Sequence, residues 1–105
     1  MALNSIAGRT DGIVNVAYGA GTAAGADIVI TLGFIPTSFV VYNETDAITY
    51  EKFAGMTAAN CVKTLANGTR STETGSLILF NSDGTVTVLA AIAVNAKVLA
   101  WRAAR

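Results

Sequence analysis

Apolar residues recur at every second position along most of this chain, with breaks at Gly, Pro, Asn and Asp, and that period selects strands over helices. The clearest block runs from Asp27 to Phe53, DIVITLGFIPTSFVVYNETDAITYEKF. In its first segment Ile28, Ile30, Leu32 and Phe34 share one face, and Val29, Thr31 and Gly33 the other. Pro36 fixes φ and lacks an N–H, so Gly33 through Pro36 interrupts the strand. Over Thr37 to Asn43, Phe39 and Val41 oppose Ser38, Val40 and Tyr42. Both faces hold apolar groups there, which predicts cover on both sides. Asn43-Glu44-Thr45-Asp46 forms a polar turn, because Asn and Asp side chains bond their own backbone. Ala47 to Phe53 returns, with Ile48 and Tyr50 on one face and Thr49, Glu51 and Phe53 on the other. The block predicts three strands joined by two turns, with the rest of the chain forming sheet that covers it.

Residues Met1 to Gly12 mix small, polar and scattered apolar groups, the pattern of an irregular arm that orders against a partner. Ile13 to Tyr18 is a short strand, and Gly19 to Ala26 a flexible loop of glycine and small residues. Gly19, Gly21 and Gly25 after a strand loosely suggest a nucleotide loop, but such a loop needs a helix next and an alternating strand follows instead. Beyond Phe53, Ala54 to Asn60 fits one helical turn or an irregular crossing. Cys61 to Ala66 fits a short strand, and Asn67-Gly68 a hairpin turn, since both residues tolerate positive φ. Arg70 to Thr74 is polar and expected to be exposed. Ser76 to Phe80 and Thr85 to Leu89 pair across the Asn81-Ser82-Asp83-Gly84 turn. In Ala90 to Arg105 the alanines favour helix while the alternation fits a strand. The need to close a sheet favours a strand centred on Lys97 to Arg102, with Trp101 as the largest packing group. The expected fold is all-β: a small antiparallel β-sandwich or barrel of about 6–8 strands, one domain over 13–105 behind an irregular N-terminal arm over 1–12.

Composition changes the picture in one respect. The chain has 105 residues, enough for one domain, yet only 13% are charged and 52% are hydrophobic. No apolar run is long enough to span a membrane, so apolar surface buried between chains is the expected reconciliation. Seven basic and seven acidic residues give zero net charge, which argues against a nucleic-acid partner held by phosphate neutralisation. The single cysteine, Cys61, forms no intrachain disulfide and reads as a small buried hydrophobe. With no histidine in the chain, there is neither a base for a thiolate nor an ordinary zinc site, and no cofactor is expected. The opening MALNSIAGRTDG lacks a signal-peptide pattern, which points to synthesis in a reducing cytosol. Glu44, Asp46 and Glu51 cluster around one turn, where a solvated surface places acids in any case. Asn81-Ser82-Asp83-Gly84 is too short for a calcium loop.

Several short motifs carry a resemblance. Gly33-Phe34-Ile35-Pro36, then Phe39-Val40-Val41-Tyr42-Asn43, Thr45-Asp46 and Thr49-Tyr50-Glu51, resemble a family of small tailed-bacteriophage proteins. Gly55-Met56, Lys63-Thr64, Gly68-Thr69-Arg70 and the stretch Asn95 to Arg102 continue the match, which covers roughly Ile28 to Arg102. The aromatic usually found after Tyr50-Glu51 is displaced, with Lys52 standing before Phe53. The resemblance implies a virion structural protein that decorates or cements the capsid as an oligomer, in contact with the major capsid protein. A homotrimer is the preferred assembly, because capsids present local threefold positions. Ile6, Arg9, Ile13, Phe39, Tyr42, Phe53, Trp101 and Arg102 are the candidate subunit or capsid interface residues. The alternative within that context is another virion part, a tail, head-tail or fibre component, and two rivals come from other classes. A sugar-binding module would expose Tyr42, Tyr50 and Trp101 together, and a glycan hydrolase would face two of Glu44, Asp46 and Glu51 across a pocket.

Overall fold

The computed structural model describes residues 16–105. The expected arm, with Ile6 and Arg9, and also Ile13 lie outside the described residues. Nine strands follow in order: β1 Val16–Thr22, β2 Ile28–Thr31, β3 Ser38–Asn43, β4 Ile48–Phe53, β5 Cys61–Thr64, β6 Arg70–Glu73, β7 Ile78–Phe80, β8 Thr85–Val88 and β9 Val98–Ala104. They form two antiparallel sheets, one of six strands ordered β1-β9-β3-β4-β5-β6 and one of three ordered β2-β8-β7. The fold is the expected all-β, sandwich-like one.

Alternation decides which side chains enter the core. On β9, Leu99, Trp101 and Ala103 are buried while Val98 and Arg102 are exposed. On β3, Phe39 and Val41 are buried. The Phe39 and Trp101 rings stack with centroids 6.0 Å apart at 25°. The smaller sheet contributes Ile30, Ile78, Val86 and Val88, all at most 1% exposed. Burial of such aliphatic and aromatic groups, each contributing about 1.5–3 kcal/mol, holds the two sheets together.

The structure departs from the sequence pattern in three places. First, β2 does not neighbour β3. It pairs with β8 in the smaller sheet, and the break at Gly33–Pro36 carries the chain from one sheet to the other. Second, β1 runs through Gly19 and Gly21, placed above in a loop. Its whole length pairs with β9, Val16 opposite Ala104 to Thr22 opposite Val98. Main-chain bonds make that strand, so its small side chains show no periodicity. Third, Arg70–Glu73 is exposed as expected, yet it is a strand at the sheet edge paired with β5. Charged side chains suit an edge because they discourage further pairing. Of the two readings open for Ala54 to Asn60, the irregular crossing is the one formed, as successive turns closed by bonds such as Asn60 N–H to Thr57 O at 2.9 Å. The tail resolves likewise into tight turns, Ile92 N–H to Leu89 O at 2.9 Å, followed by β9.

Candidate functional site: an apolar sheet face

The face of the six-stranded sheet turned away from the core follows directly from register. Because Val41, Trp101 and Tyr50 point inward, the next residue on each strand points out. One row across the sheet therefore reads Tyr18, Arg102, Val40, Glu51, Val62, Thr72. The adjoining row reads Ala20, Ala100, Tyr42, Thr49, Thr64, Arg70. Tyr18 is 53% exposed, Phe53 43%, Tyr42 39% and Val98 38%, and all four lie on this face. Glu51, Arg70 and Arg102 are its charged side chains in those rows. Arg70 and Glu51 pair loosely at 3.6 Å, a solvent-screened contact of small energetic value. Val40, Tyr42, Ala100, Trp101 and Arg102 line a shallow depression of about 300 Å³. The cover expected over the second face of β3 is thus not supplied by any described residue.

The candidate interface residues divide on this geometry. Tyr42, Phe53 and Arg102 lie on the open face. Phe39, with no exposed surface, and Trp101, 4% exposed, are core residues, because both fall in the inward phase of their strands. Their side chains hold the sandwich together and do not reach a partner. Tyr18, Val62, Val98 and Ala100 were not singled out in the sequence. The outward phase of β1, β5 and β9 marks them once Ala17, Cys61 and Trp101 are known to point in.

The chemical alternatives find their groups engaged elsewhere. Asp46 accepts from Asn43 Nδ2 at 3.0 Å and from Lys97 Nζ at 3.2 Å, so it closes the β3–β4 turn. Glu51 faces Arg70 on the open sheet face. Tyr50 is 6% exposed and Trp101 4%, so the aromatic trio of a sugar site does not assemble. In the β7–β8 turn, Asp83 Oδ1 accepts from Thr85 Oγ1 at 2.6 Å and from Thr85 N–H at 3.1 Å. The hydroxyl bond holds the Asp83 carboxyl below its usual pKa. Among the described residues no three of His, Cys, Asp and Glu come together to hold a metal ion.

One buried charge is unexpected. Lys52 is 4% exposed and donates to the carbonyls of Thr57, Ala58 and Asn60 at 3.3, 2.9 and 2.8 Å. Its ammonium also sits 5.7 Å from the Phe80 ring centroid, a cation–π contact. A cavity of about 190 Å³ adjoins it, lined by Phe53, Met56 and Phe80 among others. All three ammonium donors are already taken, so the cavity offers no free positive group to an anion.

Burial lowers the Lys52 pKa and raises those of Cys61 and Tyr50, with Glu73 adding to both rises. The signs oppose. Cys61 ionises from its ordinary 9.0 only in the unfolded chain, so folding stability falls as pH passes 9. Lys52 sheds its proton earlier in the fold, which raises stability as pH approaches 10.5. The expected result is that Cys61→Ala flattens the loss of melting temperature between pH 9 and 10 relative to wild type. Thermal melts at half-unit steps measure it, and an unchanged slope rules the thiol out as the cause.

Comparison with protein-family models, with curated proteins and with solved structures finds no match for this chain.

Proposed function

We propose that this chain is a capsid decoration, or cement, protein that binds the outside of a phage head as an oligomer and stabilises contacts between major capsid protein subunits. It is made in the host cytoplasm and ends on the virion surface. The observation that carries this reading is the open face of the six-stranded sheet. It offers Tyr18, Val40, Tyr42, Phe53 and Val98 with little charge, an arrangement suited to contact area and not to chemistry. The resemblance of the Gly33–Glu51 motifs to small tailed-phage proteins supplies the capsid context. The trimer belongs to that context too, since it rests on capsid symmetry.

The test mixes purified protein with heads stripped of decoration and sediments them. Co-sedimentation saturating at a fixed ratio to the shell protein, with decorated heads rupturing at a higher temperature than bare ones, is the expected result. Protein that stays in the supernatant at tens of micromolar defeats the proposal.

A further inference from the structure

We infer that the open face of the six-stranded sheet is closed by a second copy of this chain, packed face to face about a two-fold axis running along β3. This rests on reading that face as a protein-contact surface, and it names the partner: the face makes the oligomer, and the capsid contact falls to the other surfaces of the pair. One outward row is symmetric in kind about β3. Arg102 and Glu51 lie one strand to either side of Val40, and Tyr18 and Val62 two strands to either side. An axis in the interface along β3 exchanges left and right. It therefore sets Arg102 of each copy over Glu51 of the other, and Tyr18 over Val62. In the next outward row along β3, Ser38 lies on the axis with Ala104 and Phe53 on either side, so a large group meets a small one. Such self-complementarity is what an isologous contact requires. An in-plane axis across the strands through the same row sets Arg102 over Arg102 instead, which repels.

Size and solubility agree. Six strands about 4.8 Å apart, with lengths near 20 Å, give a projected face on the order of 500 Å². Allowing for side-chain relief, this approaches the roughly 800 Å² per partner of a standard interface. A chain of zero net charge that left this face bare would associate indiscriminately. A second copy is the partner present from synthesis. A pair, and not the trimer that capsid symmetry suggests, is the assembly this face fits.

Light scattering at micromolar concentration is expected to give the mass of two chains. Arg102→Glu and Glu51→Arg should each raise the dissociation constant about 10–100-fold, and the double exchange should recover at least about tenfold of that loss. Tyr42→Cys, a mild change near the axis, should cross-link into a pair with a short bismaleimide. Native Cys61 is fully buried and stays silent. Val29→Lys, on the outer face of the other sheet, should leave the mass unchanged. A wild-type monomer, a three-chain particle, or a pair indifferent to both charge reversals overturns the inference. A monomer that still co-sediments with heads overturns the pair alone, whereas a two-fold pair that ignores heads overturns the decoration reading alone.

Discussion

Replacing Lys52 by Met is expected to lower the unfolding free energy by about 2–4 kcal/mol. Met keeps the length and the apolar stem, so packing against Phe80 and the adjoining cavity changes little, and the lost quantity is the ammonium. In the wild type its three N–H groups meet the carbonyls of Thr57, Ala58 and Asn60, which ties the whole β4–β5 connection to the end of β4. Hydrogen bonds to a charged group contribute roughly 1.5–3 kcal/mol each when buried. Two effects reduce the sum. Thr57 and Ala58 are exposed, so their carbonyls recover water once the ammonium is gone. The wild type also bears the desolvation that lowers the Lys52 pKa, and Met is free of it. Urea unfolding of Lys52→Met beside wild type measures the difference. Hydrogen exchange should locate the loosening at 54–60, starting with the Asn60 amide that bonds Thr57 O. A loss under about 1 kcal/mol with unchanged exchange there defeats the argument.

That lysine shows where the sequence speaks and where it stops. Residues 48, 50 and 52 share a phase, so alternation puts Lys52 on the buried side with Tyr50. What it does not show is the compensation, because the three carbonyls come from turns with no periodic signal. The same division holds for the strands. Segments β4 and β8 alternate apolar with polar groups, and β3 and β7 are short runs rich in β-branched and aromatic residues bounded by turn residues, so all four are legible. The second half of β1, Gly19 to Thr22, and all of β6 are built from Gly, Ala, Ser, Thr and charged residues, and their pairing partners make them strands. Period two assigns faces but not neighbours, so the sequence places β2 beside β3 when it belongs to the other sheet. For the open face, apolar groups on both sides of β3 were visible from the start. Phe39 and Trp101 are large enough to anchor a contact, but the phase of their strands sends both into the core.

Gly84→Ala is expected to cost about 2–4 kcal/mol, and Gly68→Ala about 1 kcal/mol, although both residues sit in hairpin turns with nearly the same backbone. Gly84 has φ +84° and Gly68 φ +88°, so each substitution carries a left-handed strain of about 1–2 kcal/mol at most. The surroundings differ. A Cβ on Gly68 meets nothing within 4 Å, whereas a Cβ on Gly84 lies 3.1 Å from Phe34 N and 3.2 Å from the Gly33 carbonyl carbon. Both are main-chain atoms that no rotamer change removes, and overpacking of this kind adds about 1–3 kcal/mol. The Gly84 carbonyl also accepts from Leu32 N–H at 3.0 Å and Gly33 N–H at 3.2 Å, so displacement there weakens the contact that docks the β7–β8 turn onto the end of β2. That contact positions residues 33–36, the crossing between the sheets, and through them the start of β3 beneath the open face. Parallel urea titrations of the two variants isolate the close-approach contribution, since backbone strain nearly cancels in the difference. If Gly84→Ala costs no more than Gly68→Ala, the crossing yields freely, and the turn does not fix the placement of β3.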